Sequence, residues 1–69
     1  MSKYNKLWEF IHTQNKAESV LSFDEIKEIL GFEIDHSFLT YKKELKEFSF
    51  SVKKISLKEK KVIFVKISD

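Results

Sequence analysis

The sequence predicts an α+β fold with three helices, one short strand and a C-terminal two-stranded β-hairpin. As far as Phe48 the apolar residues recur with the period of amphipathic helices, and two capping signals divide the later part of this region into separate helices. After Phe48 the apolar residues alternate, as they do in strands. The chain of 69 residues is long enough for one domain of this kind, residues 1–69, and too short for two.

The first helix is predicted from an apolar stripe near the N-terminus. The stripe has the i, i+3, i+4 and i+7 spacing of one helical face and consists of Tyr4, Leu7, Trp8 and Ile11. Ser2 is placed to cap this helix, and we expect the helix to end near Gln14 and Asn15. After a polar segment, the apolar pair Val20-Leu21 predicts a brief strand.

The second helix has the clearest start signal in the chain. Ser22 and Glu25 have the spacing of a capping box, in which the serine hydroxyl accepts a hydrogen bond from the Glu25 amide and the glutamate carboxylate accepts one from the Ser22 amide. Gly31 is the one residue here that adopts the left-handed conformation of a helix end at little cost. We therefore predict a helix from Phe23 to Leu30.

A third helix is predicted to begin at Asp35, whose carboxylate can cap it. Its core stripe consists of Phe38, Tyr41, Leu45 and Phe48. At about 100° per residue the opposite face carries His36, Thr40, Lys43 and Glu47, with Lys46 and Leu39 beside it. About four residues separate the second and third helices, which is the spacing of a helix-turn-helix.

The last part of the chain predicts a hairpin. The parity of alternation changes between Val52 and Ile55, which indicates a β-bulge at Lys53-Lys54. We expect a turn of about four residues at 58–61 and a return strand at 62–67. The order helix, strand, helix, helix, hairpin is that of a winged helix-turn-helix, with the hairpin as its wing.

Several stretches of the chain together carry a resemblance to a known family. They are Tyr4-x-x-Leu7, Leu21-Ser22-Phe23-x-Glu25-Ile26-x-x-Ile29-Leu30-Gly31, Asp35-His36-Ser37-Phe38-Leu39, Tyr41-Lys42-Lys43-Glu44-Leu45 and Val52-x-Lys54-Ile55-Ser56-x-Lys58-Glu59-x-x-Val62-x-Phe64. They resemble a small prokaryotic domain family of unknown function, in a compact clostridial-type branch. The broader family has Leu-Pro before the serine that corresponds to Ser37, and it has an arginine and paired tryptophans in the third helix. At these positions this chain has Ile34, Asp35, Phe38 and other residues that are not tryptophan. The resemblance implies the fold and brings no activity with it.

Composition excludes several classes of function. The chain has no cysteine, so a disulfide scaffold, a cysteine-ligated zinc site and a thiol nucleophile are excluded, and one glycine cannot build a glycine-rich phosphate loop. His12 and His36 lie on different predicted helices without a ligand partner three or four residues away. The longest apolar run has four residues, Val62-Ile63-Phe64-Val65, and no signal peptide is visible. We expect a small soluble cytoplasmic protein without enzymatic activity, metal, cofactor or membrane partner.

Charge is distributed unevenly along the chain. The first 35 residues contain four lysines and seven acidic residues, a net charge of −3, and the remaining 34 contain nine lysines and four acidic residues, a net charge of +5. All the basic residues are lysines. A basic C-terminal half favours binding to DNA or to an acidic partner. Codon bias toward lysine is the alternative explanation, and it accounts for the missing arginine.

A nucleic-acid interface is predicted on the third helix and the wing. Its candidate residues are His36, Thr40, Lys43, Lys46, Lys53, Lys54, Lys58, Lys60 and Lys61. The wing lysines have an equally ordinary interpretation, because lysines at a sheet edge prevent pairing with other chains. Glu44 and Glu47 share the third helix and repel phosphate, so we expect contact with the DNA backbone rather than recognition of sequence.

A protein-interaction module of the same fold, such as an adaptor or a mobile-element inhibitor, is the alternative. The chain has seven phenylalanines, one tryptophan and two tyrosines, and a domain of this size buries only about 60% of its unfolded surface. Three aromatic residues fit no predicted buried stripe: Phe10, Phe32 and Phe50. If they cluster at the surface, they mark a protein partner or a homodimer.

Overall fold

The computed structural model describes residues 2–67 as an α+β domain. Helix α1 spans Asn5–Gln14, strand β1 Glu18–Ser22, helix α2 Phe23–Leu30 and helix α3 Ser37–Tyr41; a 3₁₀ helix then covers Lys42–Phe48, strand β2 Phe50–Ser56 and strand β3 Lys61–Lys66. Three α-helices thus accompany one three-stranded antiparallel sheet. The predicted α+β class and the order of its elements are confirmed.

The sheet has β3 in the centre, between β1 and β2. Its register brings Val62 opposite Leu21 of β1, and Phe64 opposite Val52 of β2. The pair Val20-Leu21 therefore does form a strand, and that strand pairs with the hairpin. The register of β2 shifts between Val52 and Lys54, which confirms the β-bulge that the change of parity predicted.

The hydrophobic core lies between the helices and one face of the sheet. Its buried side chains are Tyr4, Leu7, Trp8, Ile11, Leu21, Ile26, Leu30, Phe38, Leu45, Phe50, Val62 and Phe64. Along β3, Val62 and Phe64 are fully buried, whereas Ile63 and Val65 on the other face are partly exposed. The predicted stripe of α1 is confirmed, because all four of its members belong to this core.

Helix α2 has the predicted bounds and ends. The Ser22 Oγ accepts a hydrogen bond from the Glu25 amide at 3.0 Å, and the Glu25 Oε1 accepts one from the Ser22 amide at 3.0 Å. Gly31 ends the helix with a φ of 86°, in the left-handed region. Both ends depend on residues close in sequence, which is why the pattern predicts them so well.

The start of α1 differs from the prediction, because Ser2 does not cap the helix. Tyr4 is the residue that precedes the first helical turn, and its side chain makes no capping hydrogen bond. The Ser2 hydroxyl instead donates to Glu44 Oε1 at 2.5 Å, which holds the N-terminal segment against the 3₁₀ helix. The end of α1 is as predicted, with Asn15 in the left-handed conformation.

The third helix also differs from the prediction. Only one turn is α-helical, and the remainder winds as a 3₁₀ helix, whose period of three places Leu45 and Phe48 in one row toward the core. The sequence predicts Tyr41 in the core, but it is 38% exposed and lies at the margin of the aromatic cluster, with its ring centroid 6.0 Å from that of buried Tyr4. The Asp35 carboxylate accepts a hydrogen bond from the Ser37 amide at 2.9 Å, and the Asp35 carbonyl accepts one from the Phe38 amide at 3.0 Å. His36 already has helical angles, so the predicted cap at Asp35 is confirmed, although the regular α3 begins at Ser37.

The hairpin turn has the predicted four residues but begins one residue earlier, at 57–60, so that Lys61 opens β3. We call residues 57–60 the hairpin tip. The Lys60 carbonyl accepts a hydrogen bond from the Phe23 amide at 2.8 Å. The first residue of α2 is therefore bonded directly to the hairpin tip, which continues the ladder between β1 and β3.

Candidate nucleic-acid interface and neighbouring apolar groove

The 3₁₀ winding aligns the exposed polar residues of the third helix. In a helix with three residues per turn, side chains three positions apart lie above one another. Within the 3₁₀ helix, Lys43 and Lys46 therefore lie above one another, and Thr40 of the preceding α-helical turn is the i−3 neighbour of Lys43. We call these three exposed residues the outer row. Glu47, expected on the same face as Lys43, is displaced from it by this winding. The outer row thus carries two cations and no carboxylate.

Glu44 lies on the inner side of the same helix. Its Oε1 accepts hydrogen bonds from the Ser2 hydroxyl at 2.5 Å and from the Trp8 indole Nε1 at 3.2 Å. The hydrogen bond from Ser2, followed by that from Trp8, lowers the pKa of the Glu44 carboxyl, so it stays ionised. Its charge is used to fix α1 against the third helix and does not interrupt the outer row.

Most lysines of the basic half are not neutralised within the domain. The Lys53 Nζ lies 3.4 Å from Glu18 Oε2, and the Lys61 Nζ lies 3.3 Å from Glu59 Oε1. Seven others form no ion pair with any part of residues 2–67: Lys42, Lys43, Lys46, Lys54, Lys58, Lys60 and Lys66. Lys66 donates a hydrogen bond to the Asn15 amide oxygen at 2.8 Å.

Lys53 has an ion-pair partner, unlike Lys54, the other candidate on β2. Glu18 lies on β1 and Lys53 on β2, and the central strand β3 separates them, so this ion pair crosses the sheet. Both side chains are more than half exposed, which makes the pair worth less than about 1 kcal/mol. Lys54, next to it in the bulge, is exposed and unpaired among the described residues.

The hairpin tip stays close to the body of the domain. Ser22 is paired with Lys61, the first residue of β3, so β1 accompanies β3 to the beginning of the turn. Lys58 and Lys60 are exposed at this tip. Phe23 and Asp24 of α2 line a shallow depression together with Lys60. Phosphate contacts made by the tip would therefore lie beside the N-terminus of α2.

An apolar groove of about 510 Å³ lies between the third helix and the hairpin tip. It is lined by Phe23, Ile34, Asp35, His36, Phe38, Leu39, Ile55 and Leu57. Leu57 is 77% exposed and Leu39 is 53% exposed. The structure places His36 here and not on the outer row. Sequence reasoning missed this groove, although the alternation that continues from Ile55 to Leu57 places both on one face of the hairpin.

The three aromatic residues that fitted no stripe do not form a surface cluster. Phe50 is 1% exposed and belongs to the core, so its prediction as an interface residue is wrong; as the first residue of β2 it faces the helices. Phe32 is partly buried with its ring centroid 5.9 Å from that of Tyr4, and the Lys3 ammonium lies 5.1 Å from its ring. Phe10 is partly buried elsewhere, in a depression lined also by Ile29.

Within residues 2–67 no three histidine, aspartate or glutamate side chains are grouped in a way that could hold a metal ion. None of the helices in that range combines the length and apolarity required to cross a bilayer. No family model matches the chain, and comparison with curated proteins and with solved structures found no match. The resemblance to a prokaryotic family stays a prediction.

Proposed function

We propose that this domain is a winged helix that binds the phosphate backbone of DNA, as a small regulatory module. The observation that carries the proposal is the surplus of lysines in its C-terminal half that no acidic residue neutralises within residues 2–67. Because these ammonium groups form no ion pair within residues 2–67, they are available to an anionic partner. Each phosphate contact by such a lysine releases condensed counterions and favours binding.

The arrangement of the elements supports this function. The order of elements and the sheet order β1-β3-β2 are those expected of a winged helix, in which the third helix and the hairpin contact DNA. Here the third helix carries the outer row, and the hairpin carries Lys54, Lys58 and Lys60. Two separate elements thus offer cations to one extended polyanion.

Backbone contact is favoured over recognition of base sequence. The α-helical part of the third helix has one turn, Ser37–Tyr41, which gives it little length to place in a major groove. Arginine, the residue that most often reads guanine by two hydrogen bonds, is absent from the chain. Lysine and threonine on the outer row are suited to phosphate oxygens, so we expect similar affinities for unrelated duplex sequences.

Charge reversal of the outer row tests this function. The double variant Lys43→Glu with Lys46→Glu is expected to weaken binding to a mixed-sequence duplex by about tenfold or more, because it removes two phosphate contacts and adds repulsion. The matched control is Lys6→Glu with Lys16→Glu, two exposed lysines of the N-terminal part, which changes the net charge by the same amount. Equal losses in the two double variants would mean that net charge alone governs binding.

A protein-binding role is the second candidate, and the apolar groove is the observation that favours it. Contiguous exposed apolar surface on a small domain is characteristic of an interaction site. Leu39 and Leu57 contribute such surface at the groove. Phe10 and Phe32, which first suggested this role, are partly packed against the core and contribute less.

A further inference from the structure

The apolar groove differs from ordinary exposed surface in how it is built. Phe38 forms its floor and is 1% exposed, so the groove is an opening of the core itself. Leu39 and Leu57 stand on its two sides, one on the third helix and one on the hairpin tip, and both are largely exposed. Two elements distant in sequence therefore present a continuous apolar surface that a single partner can cover.

Three lysines without an ion-pair partner in residues 2–67 follow or adjoin the residues of this groove. Lys42 follows Leu39 by three residues on the same row of the third helix, and Lys58 follows Leu57 at the hairpin tip. Lys60 borders the adjoining depression, with which the groove shares Phe23. None of these three lysines forms an ion pair within residues 2–67.

The one carboxylate that lines the groove is already engaged. The Asp35 Oδ2 lies 3.3 Å from the Lys3 Nζ, and its Oδ1 accepts hydrogen bonds from the Ser37 hydroxyl and the Ser37 amide. The adjoining depression is lined by Asp24 and Lys60 and by Lys27 and Glu33, whose charged groups lie 3.7 Å apart as an ion pair. The unpaired charges near the groove are therefore three lysines and one aspartate, which favours an acidic occupant.

We propose that the apolar groove binds an amphipathic helix of a partner protein, with aliphatic residues on one face and acidic residues beside them. Side chains of the third helix and of the hairpin line the two sides of the groove. Recognition by side chains in a groove is the mode that suits a helix with anchors at i, i+3 or i+4. A volume of about 510 Å³ takes a few such anchors.

A second copy of this chain fits the groove less well. In a symmetric dimer each copy would use the same patch, so the lysines beside Leu57 would approach those of the other copy. Like charges brought together in this way oppose association. An acidic helix instead places carboxylates next to Lys42, Lys58 and Lys60 while its aliphatic face contacts Leu39 and Leu57.

Selection of peptides against the full chain tests this proposal without a known partner. A displayed library of helical peptides of about 18 residues, randomised at all positions, is enriched on the protein. We expect the enriched peptides to carry leucine, isoleucine or phenylalanine at helical spacing together with glutamate and aspartate. Labelled protein titrated with the enriched peptide of highest affinity should show changes of backbone amide chemical shift at residues 34–39 and 55–60. Enrichment of basic peptides, or no enrichment, would overturn the proposal.

Substitutions distinguish the groove from other surfaces. Leu57→Ser and Leu39→Ser should each weaken the selected peptide about tenfold, because each removes one exposed aliphatic contact and neither side chain is part of the core. The control is Val20→Ser, which alters a half-exposed residue on the other face of the sheet and should leave binding unchanged. Unchanged affinity in both leucine variants, or shifts of residues 34–39 on dilution without peptide, would contradict a helix in this groove.

The proposed binding of DNA is tested separately. Both leucine variants keep every lysine, so their affinity for duplex DNA should equal that of the unaltered chain. The double variant of the outer row should lose DNA and keep the peptide, because Lys43 and Lys46 do not line the groove. The failure of DNA binding and the failure of peptide binding can therefore be detected independently of each other.

Discussion

The hydroxyl of Tyr4 lies 3.2 Å from Oδ1 of Asp35, and this contact joins the residue that precedes α1 to the turn that precedes α3. The same hydroxyl lies 2.7 Å from the Ser37 Oγ, and the Lys3 Nζ lies 3.3 Å from Asp35 Oδ2. The tyrosine ring is fully buried among other aromatic rings of the core. A single side chain thus connects the core to the polar rim of the apolar groove.

Removal of the Tyr4 hydroxyl should destabilise the domain. Tyr4→Phe keeps the buried ring and deletes the hydrogen bond to Asp35, which we expect to lower the free energy of unfolding by about 1 kcal/mol. Urea denaturation followed by tryptophan fluorescence measures the change. Tyr41→Phe is the control, because that side chain is 38% exposed and should change stability by less than about 0.5 kcal/mol. Equal effects of the two substitutions would show that the contact contributes nothing.

Acid should destabilise the domain through two carboxylates. Hydrogen bonds from the Ser37 side chain and amide, together with Lys3, lower the pKa of Asp35, and a hydrogen bond from Ser2 lowers the pKa of Glu44. Because each of these pKa values is lower in the folded domain than in the unfolded chain, the unfolded chain binds more protons as the solution is acidified. The stabilisation contributed by the two carboxylates is therefore present at neutral pH and is lost as pH falls below about 4. Melting temperatures between neutral and strongly acidic pH should decrease over that range. Asp35→Asn should reduce the decrease, and an unaltered acid profile in that variant would contradict the assignment.

The left-handed end of α2 predicts a cost for any side chain at Gly31. Gly31→Ala should lower the free energy of unfolding by about 1 kcal/mol, because φ is 86°. A Cβ atom at this position meets nothing within 4 Å, so the cost is conformational and not steric. Gly31→Asn should cost less, since asparagine tolerates this conformation better. Chemical denaturation of both variants gives the comparison, and alanine as stable as glycine would be inconsistent with the φ angle.

The location of Phe50 predicts a large effect of truncation. Phe50→Ala should cost about 3 kcal/mol or more, because the ring fills part of the core. Phe10→Ala should cost clearly less, since Phe10 is only partly buried. Thermal unfolding by circular dichroism ranks the two. A Phe50 variant as stable as the Phe10 variant would mean that Phe50 does not lie in the core.

Features that depend on neighbouring residues were predictable from the sequence. The capping box at Ser22 and the glycine at position 31 fix α2 through hydrogen bonds and a backbone conformation within a few residues. The stripe of α1 and the bulge at Lys53 follow from periods of apolar residues. In each of these places local preference and tertiary packing favour the same structure.

Features that depend on tertiary contacts were not predictable. The third helix changes to 3₁₀ winding where Glu44 bonds to Ser2, 42 residues away in sequence, and no local pattern encodes that contact. Phe50 fits no buried stripe that the sequence predicts, whereas strand β2 turns it toward the core. The groove combines Leu39 and Leu57, which only the folded chain brings near each other.

The salt dependence of DNA affinity tests the central claim most directly. Labelled protein is titrated with a mixed-sequence duplex at about 50 and 200 mM salt, and backbone amide shifts are followed at both. If the outer row, Lys54, Lys58 and Lys60 contact phosphate, shifts should concentrate at residues 40–46 and 53–60, and affinity should fall by about 10²–10³ between the two salt concentrations. An absence of shifts at the lower salt concentration, or an affinity that does not change with salt, would contradict binding to the DNA backbone.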